Sequence, residues 1–138
     1  MRDRTDCNRN DLRDVPTLTR RFYGQNRNGE ILVIEDDPET AELLRVCLEF
    51  EGYRVCVAEN RDDARLNLRM ATFHCIIMDV YMTGLDLGTF LEREKTCPVI
   101  LISAGYDIEE TAMRHGINLW LKKQDIADEL LNMLDELL

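Results

Sequence analysis

The sequence predicts an α/β fold in which a five-stranded parallel sheet is covered by helices on both faces. Two observations support this prediction. Short apolar runs rich in β-branched residues, typical of buried strands, alternate with segments whose apolar residues recur at helical spacing. Residues that begin or end helices separate these segments, and the alternation repeats five times from Glu30 onward.

The first predicted strand covers 31–34 and is followed by an acidic run. Within that run Asp37 can cap a helix, Pro38 suits the first helical position, and Gly52 ends the helix. The remaining elements are predicted in chain order: a strand over 53–58, a helix to about 70, a strand over 73–79, a short helix over 87–95, a strand over 99–102, a helix that stops at 116, a strand over 119–122 and a helix to 138. Asn60, Asp107 and Asp125 are predicted to cap the second, fourth and fifth of the predicted helices.

Residues 1–28 differ from the rest of the chain. They contain few apolar residues and no sustained period, which predicts a flexible leader before one domain over 29–138. The leader has a net charge of +3, whereas the remainder has ten Lys or Arg against 23 Asp or Glu, a net charge of −13. So acidic a domain would be repelled by nucleic-acid phosphates, and we expect no direct binding of DNA or RNA.

No apolar run in the sequence approaches the ~20 residues that a membrane-spanning helix needs, and the first residues are polar. We therefore expect a cytoplasmic protein that does not insert into a membrane.

Carboxylates follow two of the predicted strands. Glu35 and Asp36 come after the first strand, and Asp79 ends the third. If these strands are neighbours, as in the order 2-1-3-4-5, the three side chains converge. An all-oxygen ligand set without His or Cys favours Mg²⁺ (or Mn²⁺). The alternative is that the acids after the first strand only stabilise a helix N-terminus, the interpretation we adopt for Asp37.

Two later strands also end in polar residues. Ser103 follows the fourth strand, and its hydroxyl could bind an anionic oxygen near Asp79, although serine is common in turns. Lys122 and Lys123 follow the fifth strand. One of them would supply the positive charge that three acids require, while the other would be solvated.

Four segments together resemble the receiver domain of two-component response regulators. They are Ile31-Leu32-Val33-Ile34-Glu35-Asp36-Asp37-Pro38, Ile76-Ile77-Met78-Asp79-Val80-Tyr81-Met82, Pro98-Val99-Ile100-Leu101-Ile102-Ser103-Ala104 and Gly116-Ile117-Asn118-Leu119-Trp120-Leu121-Lys122-Lys123. The resemblance covers 29–138 and implies a flavodoxin-like fold. It also implies that Asp79 accepts a phosphoryl group from a histidine kinase or a phosphotransfer protein.

The resemblance further implies a role for each site residue. Asp36 and Asp79 would bind Mg²⁺ beside Glu35, with the backbone carbonyl of Tyr81 as a further ligand. Ser103 would bind the phosphoryl group and turn inward on activation.

Two residues near the fifth strand complete the implied set. Lys123, seven residues past Gly116, matches the family's lysine better than Lys122 does. Trp120 stands at the position of the aromatic switch residue, although it can equally be a partly buried aromatic on an edge strand.

The chain departs from the family pattern in three places. Where the family has Met-Pro after the acceptor, this chain has Met82-Thr83. The family's following Asp-Gly is replaced by Asp86-Leu87, and its Lys-Pro by Lys123-Gln124. Because a cis bond before a residue other than proline costs about 2.5–4 kcal/mol, we expect a trans bond at Lys123-Gln124 unless the site is strained. These changes affect the loops and the output surface more than the phosphoryl chemistry.

Three function classes follow from these observations. The first is a stand-alone receiver that is not a metabolic enzyme and signals through contacts with an unknown output protein, or as a homodimer formed by the last two helices and the fifth strand. The second is a receiver-like interaction module with weak or no phosphorylation-dependent switching. The third, an enzyme on a related fold, is disfavoured because a dehalogenase-type phosphatase needs an acid at position 81, and the acids after the first strand would repel a flavin phosphate.

Overall fold

The structure, a computed structural model, describes residues 29–82, 86–94 and 96–138. The predicted leader over 1–28 lies outside these residues. The strands are β1 Glu30–Ile34, β2 Arg54–Ala58, β3 Cys75–Asp79, β4 Val99–Ser103 and β5 Trp120–Lys122. The helices are α1 Pro38–Phe50, α2 Arg61–Met70, α3 Leu87–Glu94, α4 Ile108–Arg114 and α5 Ile126–Leu137, with a 3₁₀ turn at Lys123–Asp125.

The five strands form one parallel sheet in the order β2-β1-β3-β4-β5. The predicted fold class and strand order are therefore confirmed. The predicted strands also begin and end within two residues of the observed ones. The largest difference is at β3, which begins at Cys75 instead of residue 73.

Helices cover both faces of the sheet, as predicted. On one face Leu44 and Leu48 of α1 and Leu130 and Leu134 of α5 pack against alternate strand residues. On the other face α2, α3 and α4 pack against the remaining strand residues, with the Phe90 side chain of α3 fully buried there. Central strands buried on both faces explain why β1, β3 and β4 are almost continuously apolar in the sequence.

Helix capping follows the prediction at two helices and departs from it at two others. Asp37 accepts a hydrogen bond from the Thr40 backbone N at 3.2 Å, and Asn60 accepts one from the Asp63 backbone N at 2.9 Å. Asp107 and Asp125 were predicted to cap α4 and α5, but neither side chain makes a capping bond within the described residues. The prediction of side-chain caps at these two positions is wrong.

The pairing register determines which strand ends lie side by side. Ile34 pairs with Met78, Asp79 with Ile102, and Ser103 with Lys122. The residues that follow β1, β3, β4 and β5 therefore meet at the carboxyl edge of the sheet, where open α/β sheets bind ligands.

Two further findings concern the backbone and the helices. No peptide bond among the described residues is cis, so the bond at Lys123-Gln124 is trans. None of the helices in this part of the chain has the length and apolar character needed to span a bilayer.

Candidate functional site

Three carboxylates converge at the carboxyl edge of the sheet. Glu35 and Asp36 extend from the loop after β1, and Asp79 is the last residue of β3. One oxygen from each lies within 4.8 Å of the others. Glu35 is 1% exposed and Asp79 is 7% exposed, whereas Asp36 is on the surface. The cluster thus joins two buried acids to one that faces solvent.

Lys123 supplies the counter-charge. Its Nζ lies 2.8 Å from Glu35 Oε1 and 3.2 Å from Asp79 Oδ2, so a single amino group bridges the two buried carboxylates. Lys122 instead points elsewhere, with its Nζ 5.5 Å from the centre of the Tyr106 ring. The structure therefore brings Lys123, and not Lys122, to the acids, which is the lysine that the resemblance implies.

The pKa values of Glu35 and Lys123 reflect burial, hydrogen bonding and neighbouring charges. Burial raises the pKa of the Glu35 carboxyl to about 7, although the hydrogen bond from Lys123 opposes this shift and the charge of Asp79 adds to it. Burial alone would lower the pKa of Lys123, but the hydrogen bonds to Glu35 and Asp79 outweigh it and raise that pKa. The site therefore favours a charged Lys123 and penalises ionisation of Glu35.

The donor set fits a divalent cation that prefers oxygen ligands. Glu35 Oε2 is buried and accepts no hydrogen bond from the described part of the chain. A buried carboxylate oxygen without a partner is unfavourable unless a cation or a proton satisfies it. Three converging carboxylates, with no sulfur or imidazole ligand among them, match the preference of Mg²⁺ or Mn²⁺.

Ser103 lies beside this cluster at the end of β4. It is fully buried, and its Oγ accepts a hydrogen bond from the Gly105 backbone N at 2.9 Å. The hydroxyl thus closes a tight turn in the β4–α4 loop. Because Ser103 ends β4, it lies at the same edge of the sheet as Asp79. The binding role predicted for Ser103 remains a prediction.

Tyr81 forms contacts that its predicted role does not include. Its backbone N donates to Asp79 Oδ1 at 3.1 Å, while its half-exposed side chain donates from the phenol to Asp107 Oδ2. That hydrogen bond raises the pKa of the Tyr81 phenol. No sequence signal links these two residues, which are 26 positions apart, and Asp107 was interpreted only as a helix cap. The predicted ligand role of the Tyr81 carbonyl is a separate matter and remains a prediction.

Trp120 is partly buried on the edge strand β5 and packs against the core cluster beneath α2, α3 and α4. This position agrees with a plain edge-strand aromatic, and the predicted switch role remains a prediction.

Comparison with known proteins places the chain in a family. The family model of the response regulator receiver domain matches residues 31–135. The chain belongs to this receiver-domain family. It is 36% identical over 116 residues to an uncharacterised 14.6 kDa protein in the sodA1 3′ region of Leptolyngbya boryana, covering 78% of this chain and 88% of that one. It is 30% identical over 109 residues to the uncharacterised transcriptional regulatory protein YkoG of Bacillus subtilis, covering 75% of this chain and 48% of YkoG.

Solved structures agree with this assignment. The receiver domain of the Francisella response regulator 1452 is 26% identical, has a TM-score of 0.70, and the match covers 80% of this chain and 96% of that one. The response regulator protein TrrA of Thermotoga maritima, solved in complex with Mg²⁺-BeF, is 27% identical with a TM-score of 0.70, covering 80% and 99%. The chain spans about half the length of YkoG.

The burial of Glu35 leads to a prediction about stability. In the absence of divalent cations and at a pH above the raised pKa of Glu35, Glu35→Gln should raise the free energy of unfolding by about 1 kcal/mol. The reason is that the amide removes a buried charge beside Asp79. The gain should shrink as the pH falls from about 7 towards 4.5, where the wild-type carboxyl takes up a proton in the folded receiver.

Chemical denaturation across this pH range tests the prediction. Glu39→Gln, which changes an exposed acid in the first turn of α1, is the control and should shift stability by no more than about 0.5 kcal/mol. A Glu35→Gln receiver that is less stable than wild type above the raised pKa would contradict the prediction.

Proposed function

We propose that this receiver accepts a phosphoryl group on Asp79 from a histidine kinase or a histidine phosphotransfer protein, with Mg²⁺ (or Mn²⁺) bound by Glu35, Asp36 and Asp79. One observation carries the proposal: Lys123 Nζ bridges Glu35 and Asp79 at 2.8 and 3.2 Å within a cluster of three carboxylates. The Mg²⁺-BeF complex of the similar protein TrrA supports it.

The chemistry requires little of the protein beyond positioning and charge. An Asp79 carboxylate oxygen forms a bond to phosphorus while the bond between phosphorus and the donor's histidine nitrogen breaks, and that nitrogen keeps the electron pair. Phosphoryl transfer proceeds through a loose transition state whose charge is spread over the phosphoryl oxygens. Lys123 holds Asp79 in place and offers its positive charge to those oxygens. A bound divalent cation would neutralise further charge on the phosphoryl group.

The Ser103 hydroxyl provides a means of reading out the phosphorylated state. Its oxygen accepts a hydrogen bond from the Gly105 backbone N, and a phosphoryl oxygen on Asp79 would be a charged acceptor for its proton. Turning the hydroxyl towards that oxygen would rearrange the β4–α4 loop. The receiver would then signal through contacts of the surface next to α4 and β5 with an output protein.

Phosphorylation of the wild-type receiver is the direct test. With Mg²⁺ and a small phosphodonor we expect one added phosphoryl group by intact-mass spectrometry, removed by hydroxylamine as an acyl phosphate is. Beryllofluoride with Mg²⁺ should change the fluorescence of Trp120, the only tryptophan of the chain. A wild type that gains no phosphoryl group from a small donor or from any histidine kinase would contradict the proposal. We also propose that the receiver has no turnover beyond its own phosphorylation and dephosphorylation, which assays with phosphate esters would test.

A second candidate function is a receiver-like interaction module whose binding is independent of phosphorylation. The observation that favours it is the packing of Trp120 against the core cluster, which leaves the side chain less free to change position than an exposed aromatic. Equal affinity for an output partner with and without beryllofluoride would support this candidate over a phosphorylation-dependent switch.

A further inference from the structure

The Tyr81 side chain links two loops at the carboxyl edge of the sheet. Its backbone follows β3 and is bonded to Asp79, while its phenol reaches Asp107, the residue before α4. Between them lies Gly105, where an added β-carbon would be 3.4 Å from Tyr81 Cε2 and 3.4 Å from Ser103 Oγ. The tyrosine ring therefore lies against the loop that carries Ser103.

Asp107 contributes its carboxylate to this contact and not to its own helix. Its backbone carbonyl accepts the first helical hydrogen bond from the Thr111 backbone N at 2.9 Å. Its side chain makes no capping bond within the described residues. The carboxylate of an N-cap aspartate usually bonds to the helix, so its use here to hold a tyrosine hydroxyl is a departure from the common arrangement.

We infer that Tyr81 and Asp107 form a bridge that restricts access to the phosphoryl group on Asp79 and lengthens its lifetime. This inference rests on the proposed function. Asp79 is already only 7% exposed, and the bridge joins the loops after β3 and β4, which flank it. Tyr81 and Asp107 are positioning residues in this account, because they act on access and make no bond to phosphorus.

The reaction that the bridge slows is hydrolysis of the acyl phosphate. A water oxygen forms a bond to phosphorus as the bond between phosphorus and the Asp79 oxygen breaks. Inorganic phosphate leaves, and Asp79 returns to a carboxylate. The proton that the water loses passes to phosphate or to solvent. In an in-line displacement the attacking water and the leaving group of a donor both occupy the side of phosphorus opposite Asp79. A restriction on that side slows hydrolysis and small-donor phosphorylation together.

Four variants test the bridge: Tyr81→Phe, Asp107→Ala, the double variant of these two, and Asp107→Asn. For each, the rate of phosphorylation by a small donor and the lifetime after donor removal are measured with Mg²⁺. We expect Tyr81→Phe and Asp107→Ala each to shorten the lifetime about fivefold and to speed phosphorylation by a similar factor, the effect of losing one hydrogen bond.

The double variant and the conservative variant separate a bridge from independent effects. Because both single changes remove the same contact, the double variant should be no faster than either one. Asp107→Asn keeps an oxygen that can accept from the Tyr81 phenol and should retain most of the wild-type lifetime. Tyr106→Phe is the control. It removes a phenolic hydroxyl from the same loop, and Tyr106 is 92% exposed.

The outcomes distinguish this inference from the proposed function. Wild-type lifetimes in both Tyr81→Phe and Asp107→Ala would overturn the bridge while leaving phosphorylation of Asp79 intact. Multiplied effects in the double variant would also overturn it, because the two residues would then act separately. A wild type that takes up no phosphoryl group would overturn both.

Discussion

Asp79→Asn should abolish formation of the acyl phosphate while leaving the receiver folded. Asparagine presents an amide that cannot attack phosphorus, so no covalent adduct should form with any donor. The change also removes one of the three clustered carboxylates, and the contact between Lys123 and Glu35, 2.8 Å in the wild type, does not involve the altered residue. We therefore expect the free energy of unfolding to stay equal or to rise by about 1 kcal/mol. Intact-mass spectrometry after donor treatment, together with chemical denaturation, measures both effects.

Asp37→Asn is the matched control for this variant. Asp37 lies in the same acidic run, but its carboxylate caps α1 through Thr40 and is not part of the three-acid cluster. Asparagine caps helices as well as aspartate does, so this variant should be phosphorylated at close to the wild-type rate. Phosphorylation of Asp79→Asn at a comparable rate would show that the acceptor is another residue.

The sequence was sufficient to predict the elements and the acids that meet between them. The buried strands are marked by unbroken apolar runs, and the carboxyl ends of neighbouring parallel strands must share one edge. That rule places Glu35 and Asp79 together if β1 and β3 are adjacent. The structure confirms that these two strands pair. The assignment of Asp37 to the helix cap also needed only local information, because Pro38 and Thr40 follow it directly.

Side-chain contacts that depend on backbone angles could not be predicted in the same way. Asp37 and Asn60 cap their helices from extended backbone conformations, with ψ of 116° and 175°. Asp107 and Asp125 occupy the same type of position with ψ of 14° and 1°, and neither makes a capping bond in the described chain. Residue type alone does not distinguish these cases. The contact between Tyr81 and Asp107 could not be predicted for the same reason. It requires an Asp107 carboxylate that does not cap its own helix, and a fold that brings the two loops together.

Lys123→Met should have the second large effect, on both stability and phosphorylation. The lysine is the described cation that contacts both Glu35 and Asp79, and its side chain is only 21% exposed. Removing it leaves two buried acids without that partner. Breaking such a contact commonly costs about 3–5 kcal/mol, an upper figure here because Glu35 can take up a proton instead. We expect a loss of about 2 kcal/mol in the free energy of unfolding without divalent cations.

Phosphorylation should slow about 100-fold in the same variant, because a positioned positive charge no longer faces the phosphoryl oxygens. Initial rates with a small donor at saturating Mg²⁺ measure this effect. Added Mg²⁺ should recover part of the lost stability, since a cation bound by the folded receiver stabilises it by mass action.

Lys122→Met provides the matched control, because it makes the same chemical change one residue earlier. Lys122 contacts the Tyr106 ring, and its loss should alter stability by no more than about 1 kcal/mol and leave the phosphorylation rate near wild type. Equal losses in the two variants would mean that general positive charge near β5, and not the bridge between Glu35 and Asp79, supports the reaction. A larger loss in Lys123→Met would assign the effect to the Lys123 amino group, which reaches both carboxylates.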